Sequence, residues 1–394
     1  MEEVPFFMNR LSRFSTLSNL ARFSGLSRHF KMSNYSGLTG SSRLSISSIR
    51  PRHTWLTLGC TLLLLTAGCG GTSAPSSDNS LPPGASPAVS TPSATPTEEP
   101  APFRAPLTGM PSKVDIASRP YLVMVENSPQ ARPQTGLDKA DIVYEILAEG
   151  EITRFVSVFQ SVNVPTVGPV RSIRPYFVEI GDMLDAVIVH AGWSQDAMNI
   201  LSGRKLAHLD QVYGDDAYYW RATDRKAPHN LYTSTEKMAE GAVARKFRKE
   251  WKGPQPLFAK NTPVTLTGTS ARKIEIPYIS GYKVSYEYEA ANNTYKRSMA
   301  GQPHLDKESG QQLETVNLLV LESKHTILDK EGRRNVNVFG PGKGVLLQQG
   351  KSLAITWERK DGMIRPYADG KEVPLLPGNT WVQIVPLGTE LKLE

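Results

Sequence analysis

The sequence predicts an α/β (or α+β) amino-terminal domain with a mixed sheet, then a β-rich carboxyl-terminal domain, both behind a disordered leader and tether. Three observations carry this reading. Residues 107–255 interleave short apolar runs with stretches suited to helix, whereas residues 256–394 repeat strand-like runs between turn signals. Ahead of 107 the chain is Ser-, Arg-, Thr- and Pro-rich, and its longest apolar run is at 56–66.

Each element follows from its local pattern. Residues 121–125 (YLVMV) and 142–147 are short apolar runs, and 155–159 alternates. Residues 184–189 (LDAVIV) have the continuous apolar character of a strand buried on both faces. The segment 175–184 opens with proline, which suits the first position of a helix. Helices are also predicted over 194–201 and over 235–251, the latter rich in Ala, Lys, Arg and Glu. In the second half strands are predicted at 282–289, 316–323, 336–339, 344–349, 352–357 and 381–386. Turn signals at 340–342, 360–362, 368–370 and 377–378 punctuate them. Trp357 and Trp381 lie in apolar strand patterns and are expected in the core. The domain boundary is expected near 253–263.

The run at 56–66 follows an arginine-bearing segment and ends in Ala67-Gly68-Cys69. It is too short to span a bilayer, and its flanks are those of a secretory leader. The end, L-T-A-G-C, looks like the lipobox of a bacterial lipoprotein signal, with Thr66 where Leu is commoner. Cleavage before Cys69 would leave its thiol to carry a lipid and hold the chain on the outer face of the cytoplasmic membrane. A plain signal peptide and an uncleaved anchor are the alternatives. Residues before Trp55 are too many for an ordinary leader, and Met32 offers a conventional start. A mitochondrial-type presequence is a competing reading of this basic stretch, but it leaves the lipobox unexplained. Residues 1–68 are therefore set aside as leader, and 69–106 as lipidated cysteine and tether. The low-complexity composition of the tether cannot bury a core, and its mean reach is about 35 Å.

Charge and cysteine usage exclude several functions. The leader holds eight Lys/Arg and two acids; removing these from totals of 45 and 38 leaves 37 and 36, a net charge of +1. The pI near 9.2 thus belongs mostly to the leader, and no nucleic-acid partner is expected. The two cysteines, Cys60 and Cys69, both fall in or at the end of the leader. A disulfide framework, thiolate catalysis and a cysteine metal site are accordingly excluded. His190, His208 and His229 lack recognised metal-ligand spacing, so no metal or cofactor is expected.

Residues with possible chemistry crowd into the first domain. If Gly150-Glu151 forms a two-residue hairpin turn, Glu149 pairs Ile152 and Leu147 pairs Arg154. Glu145 and Glu149 would then share a face with Arg154. This is either a solvated ion pair worth about 0–1 kcal/mol or a carboxylate pair held by arginine at a site. Arg171 and Arg174 bracket Ser172 just before a helix, which suits anion binding. Pairing of these arginines with Glu145, Glu149 or Asp182 is the structural alternative. His190 ends a buried strand, where ligands gather in α/β sheets. Trp193 and Ser194 follow it, with Ser194 placed as an ordinary helix N-cap. The loop 218–232 adds Arg221, Arg225, His229 and Asn230 among aromatic residues. It suits stacking on a sugar or binding a phosphorylated glycan, or it is an ordered loop whose polar groups satisfy one another.

At these residues a family resemblance appears. ENSPQARPQTGLDKADIVYEILAEGEITRF, GPVRSIRPYF, HAGWS and APHNLY are similar to the YerB-like lipoprotein family, a bacterial family of unassigned function. In the second half, NVFGPGKG, the stretch 350–357 and PGNTWVQIVP resemble that family's carboxyl-terminal domain. The resemblance covers about 107–394 and implies a lipid-anchored, two-domain envelope protein without an assigned reaction. Two function classes remain open. One is a binding module for an anionic or glycan envelope ligand, using Arg154, Arg171, Ser172, Arg174, Trp193, Ser194, Arg221, Arg225 and Asn230. The other is a hydrolase or transferase acting on a glycan or phosphodiester, with Glu145 or Glu149 and His190 or His229 in acid–base roles.

Overall fold

The structure, a computed structural model, describes residues 101–260, 268–279 and 282–394. The expected leader, Met32, Cys69 and nearly all of the tether lie outside these residues.

In the first half, strands β1 (Tyr121–Glu126), β2 (Ile142–Leu147) and β3 (Thr153–Phe159) form an antiparallel group in the order β2-β3-β1. Helix α1 (Pro175–Met183) leads into β4 (Val187–His190), and α2 (Gln195–Gly203) into β5 (His208–Asp210). Strand β4 pairs parallel to β1, and β5 parallel to β4. This mixture of directions is the mixed sheet expected of the α/β half. Helix α1 begins with Pro175 at its first position, where the missing N–H costs no hydrogen bond. Ser194 caps α2 by accepting from the Ala197 amide, and Ser234 caps α3 (Thr235–Ala244) by accepting from the Lys237 amide. Helix α3 is shorter than its composition suggested. Lys246 adopts φ +56°, which breaks the helical path, and Arg245 is drawn to Asp215 at 2.6 Å.

The second half is β throughout. Strands β6 (Lys273–Ile279), β7 (Tyr282–Glu289) and β8 (Thr294–Met299) form the body of a small sheet, joined at its edge by the carboxyl-terminal Lys392–Leu393. Strands β9 (Asn317–Ser323), β10 (Gly342–Gln348), β11 (Lys351–Lys360), β12 (Met363–Ala368) and β13 (Thr380–Pro386) join the sheet of the first half. The order through the large sheet is β12-β11-β10-β9-β13-β2-β3-β1-β4-β5. The expected boundary is thus bridged by main-chain pairing. Strand β13 inserts between the halves, parallel to β9 on one side and to β2 on the other, with Trp381 beside Val143 and Gln383 beside Glu145. Its near-continuous burial is what a parallel strand covered on both faces requires.

Alternate residues divide the core. Tyr144, Ile146, Val156, Leu319 and Ile384 face α1 and α2; Val143, Phe155, Val320 and Trp381 face α3 and the small sheet. Both expected core tryptophans are 1 % exposed. The β2–β3 hairpin corrects the expected register. Ala148 and Ile152 close a three-residue loop, 149–151, so that Ile146 opposes Arg154 and Glu145 opposes Phe155. A one-residue slip reverses every face. Glu145 therefore points to the small sheet, whereas Arg154 points to α1.

Candidate functional site

The carboxyl ends of β1, β2 and β4 and the start of β3 meet at one rim of the large sheet. The loop 171–174 runs alongside the loop 191–194: the Ala191 amide donates to the Arg171 carbonyl at 3.0 Å, and the Ile173 amide to Gly192 at 3.0 Å. The sequence placed these loops at one sheet end, and they meet there.

Three arginines gather on this rim. Arg154 donates to the Ser172 carbonyl at 2.7 Å and pairs with Glu149 at 3.0 Å. Arg174 pairs with the other oxygen of Glu149. Burial disfavours ionisation of Glu149, but the two guanidiniums outweigh it and hold its carboxyl below the ordinary value. Arg171 Nε lies 3.2 Å from Glu126 as an ion pair without a hydrogen bond, and no described residue hydrogen-bonds its two terminal nitrogens. Trp193 stacks on Tyr213 with ring centroids 5.0 Å apart, and its indole N–H has no described partner. It stands beside the arginine loop through its bridge with Ile173. Ser194 serves as the α2 cap.

His229 reaches the rim from its own loop. Its Nδ1 lies 2.9 Å from Glu126 Oε1 and 3.3 Å from Ser128 Oγ, and Ser128 donates to the same Glu126 oxygen at 2.7 Å. Other polar side chains of the loop are engaged within it or by neighbouring segments. Arg221 donates to Asn230 at 3.0 Å, and Arg225 donates to the Ala131 and Pro133 carbonyls.

Two expected residues are placed elsewhere. His190 is fully buried, with Nδ1 3.0 Å from the Gly192 carbonyl and Nε2 3.1 Å from His208 Nδ1. Burial lowers its pKa to about 4 despite the opposing pull of Asp210. Glu145 lies on the opposite face of the sheet. It accepts from Tyr282 at 2.7 Å and Thr153 at 2.8 Å, and pairs with Arg297 at 3.0 Å. Arg297 in turn donates to Tyr286 and to His304 Nδ1, each at 3.0 Å. His304 Nε2 must then carry the proton that it gives to Gln134 at 2.7 Å. The network joins the small sheet to the large one.

Glu126, Ser128 and Arg297 were not singled out from the sequence. Glu126-Asn127-Ser128 does give a signal, a polar triplet directly after an apolar strand. Arg297 was hidden because it occupies an inward position between Tyr295 and Met299. A small apolar hollow of about 30 Å³, lined by Ile142, Tyr144, Leu319, Met363 and Val382, shares no residue with the rim. Among the described residues no group of three His, Cys, Asp or Glu side chains could hold a metal ion.

Comparison with known proteins agrees with this architecture. Residues 107–248 match the model for the amino-terminal domain of a protein family of unknown function (DUF3048), and residues 274–382 match that for its carboxyl-terminal domain. "Putative lipoprotein YerB" of Bacillus subtilis is 38% identical over 288 residues, which cover 72% of this chain and 86% of that protein. A crystal structure of YerB protein from Bacillus subtilis superposes with a TM-score of 0.68 at 36% identity, covering 74% of this chain and 99% of that one. The chain belongs to the YerB-like family, whose two domains its folded part contains.

Proposed function

We propose that the protein is exported, anchored to the outer face of the cytoplasmic membrane through lipidated Cys69, and binds an anionic or glycan envelope ligand at the arginine rim. The observation that carries the ligand reading is Arg171. Its guanidinium is only partly neutralised by Glu126, its terminal nitrogens are free of described partners, and Arg154 and Arg174 stand beside it. A guanidinium fork suits phosphate or carboxylate, and the Trp193–Tyr213 stack adds an aromatic surface for a sugar ring. The anchor reading rests on the lipobox-like end at Cys69 and on the relative's description as a lipoprotein.

The alternative, an envelope hydrolase or transferase, draws less support. Glu145 is enclosed with Arg297 and His190 is buried, so neither is presented to a substrate, and part-exposed Glu149 is held as a carboxylate by two arginines. Arg171→Lys is expected to weaken binding of glucuronate and inorganic phosphate at least fivefold while keeping the melting temperature. Unchanged affinity together with a lower melting temperature would show a structural ion pair instead. For the anchor, Cys69→Ser should release the mature protein or leave it unprocessed. Normal processing and membrane retention of that variant would refute lipidation.

A further inference from the structure

Glu126 lies 3 % exposed at the end of β1, and three groups converge on its Oε1: Ser128 Oγ at 2.7 Å, His229 Nδ1 at 2.9 Å and Arg171 Nε at 3.2 Å. Its Oε2 is buried without a described partner. A carboxylate accepts only, so His229 presents Nδ1–H to it. The ring is thereby fixed with Nε2 turned away from Glu126, and the side chain is 24% exposed. Arg171 Nε forms an ion pair with the same oxygen, its side chain is 30% exposed, and no described residue hydrogen-bonds its two terminal nitrogens. One buried carboxylate thus orients an imidazole and a guanidinium together.

We propose that Glu126, His229 and Arg171 form a clamp for a tetrahedral oxyanion, a phosphate or sulfate ester, that takes up a proton at His229 Nε2 on binding. The clamp rests on the anionic-ligand reading and names its chemistry. In the neutral ring Nε2 has only a lone pair, which repels an oxyanion. Protonation turns it into a second cationic donor beside Arg171, with Glu126 as the counter-ion of both. A tetrahedral anion has enough oxygens to accept from the guanidinium fork and from the imidazolium on separate atoms. Ser128 acts as a positioning residue because its hydroxyl is already given to Glu126.

The other charged groups near His229 are engaged or outward. On its own loop Arg221 donates to Asn230, Asp224 pairs with Lys307, Arg225 donates to two carbonyls, and Lys226 is exposed. From the packed elements the charged groups at the Glu126–His229 contact are Glu126 and Arg171, with neutral Ser128 as the third partner, and Arg154 and Glu149 act electrostatically on Arg171.

Sulfate, whose own charge is constant from pH 6 to 8, is the probe. Calorimetric titration at pH 7.5 in buffers of different ionisation enthalpy should show uptake of up to one proton per sulfate bound. His229→Gln keeps an amide for Glu126 but cannot take up the proton. It should abolish the uptake and weaken sulfate at least fivefold, with the melting temperature of the variant recorded alongside. Sulfate binding that Arg171→Lys weakens, but that carries no proton uptake, would overturn the clamp and leave the anionic-ligand reading standing. Uptake that survives in His229→Gln would overturn it too, and absence of sulfate and phosphate binding would overturn both. A phosphatidylglycerol vesicle arm, set against inorganic phosphate, distinguishes a lipid headgroup from a free phosphate as the source of the anion.

Discussion

Arg297 Nη2 lies 3.0 Å from Glu145 Oε2, with both side chains fully buried and their positions 152 apart in sequence. Arg297 also packs against the rings of Trp381, Phe155 and Tyr286 at 5.1–5.5 Å. The pair fastens the small sheet to the large one. Every nitrogen and oxygen around it that loses its partner becomes an uncompensated buried group.

Removing one member should therefore cost more than removing both. Arg297→Met or Glu145→Leu alone is expected to destabilise by about 3–5 kcal/mol, and the double variant by less than the sum. Urea unfolding of the four proteins measures this directly. Additive losses would mean that the two charges are not coupled.

Trp381 closes the same junction from β13, in edge contact with Phe155 at 5.6 Å and Tyr286 at 6.3 Å. Trp381→Ala should destabilise by about 3–5 kcal/mol, because the cavity would open where three layers of structure meet. A loss below about 1 kcal/mol would show that the site collapses around the smaller residue.

Acid should weaken the fold. His190 and His325 are both lowered to about 4, chiefly by burial, and His304 is lowered as well. Between about 4 and the ordinary histidine value near 6.5 the unfolded chain binds more protons than the folded one. Stability is then full above pH 6.5 and declines as pH falls towards 4. The melting temperature is expected to be lower at pH 5 than at pH 7.5, and His325→Leu should shrink that difference. A flat profile would contradict the burial of these rings.

A contact between the 149–151 loop and the tip of a short hairpin, His325–Ile327 paired with Arg334–Val336, links the second half to the rim. Gly332 has φ +73°, and a Cβ there would sit 2.7 Å from the Gly150 amide nitrogen. Gly332→Ala should cost about 1–3 kcal/mol and speed hydrogen exchange at 148–152. Exchange unchanged at that tip would show that the two loops are independent.

Much of this architecture was legible in the chain. Apolar runs placed most of the strands, proline and serine placed the starts of α1 and α2, and the long ordered motifs identified the family. These are local signals, carried by neighbouring residues, and local chemistry enforces them. The meeting of the arginine loop with the loop after His190 was also legible, since a buried strand delivers its following loop to the sheet's end. What only the tertiary structure decided was register and partnership. Whether the 149–151 loop held two residues or three set the faces of Glu145 and Arg154. It sent one to Arg297 and the other to Ser172 and Glu149. The choice of β13 as the strand between the halves, and of Glu126 as the shared partner of Arg171 and His229, depends on residues about 45 to 240 positions apart. No local pattern encodes such pairings; they are fixed when packing leaves one arrangement in which both faces of the sheet are covered and the buried charges are paired.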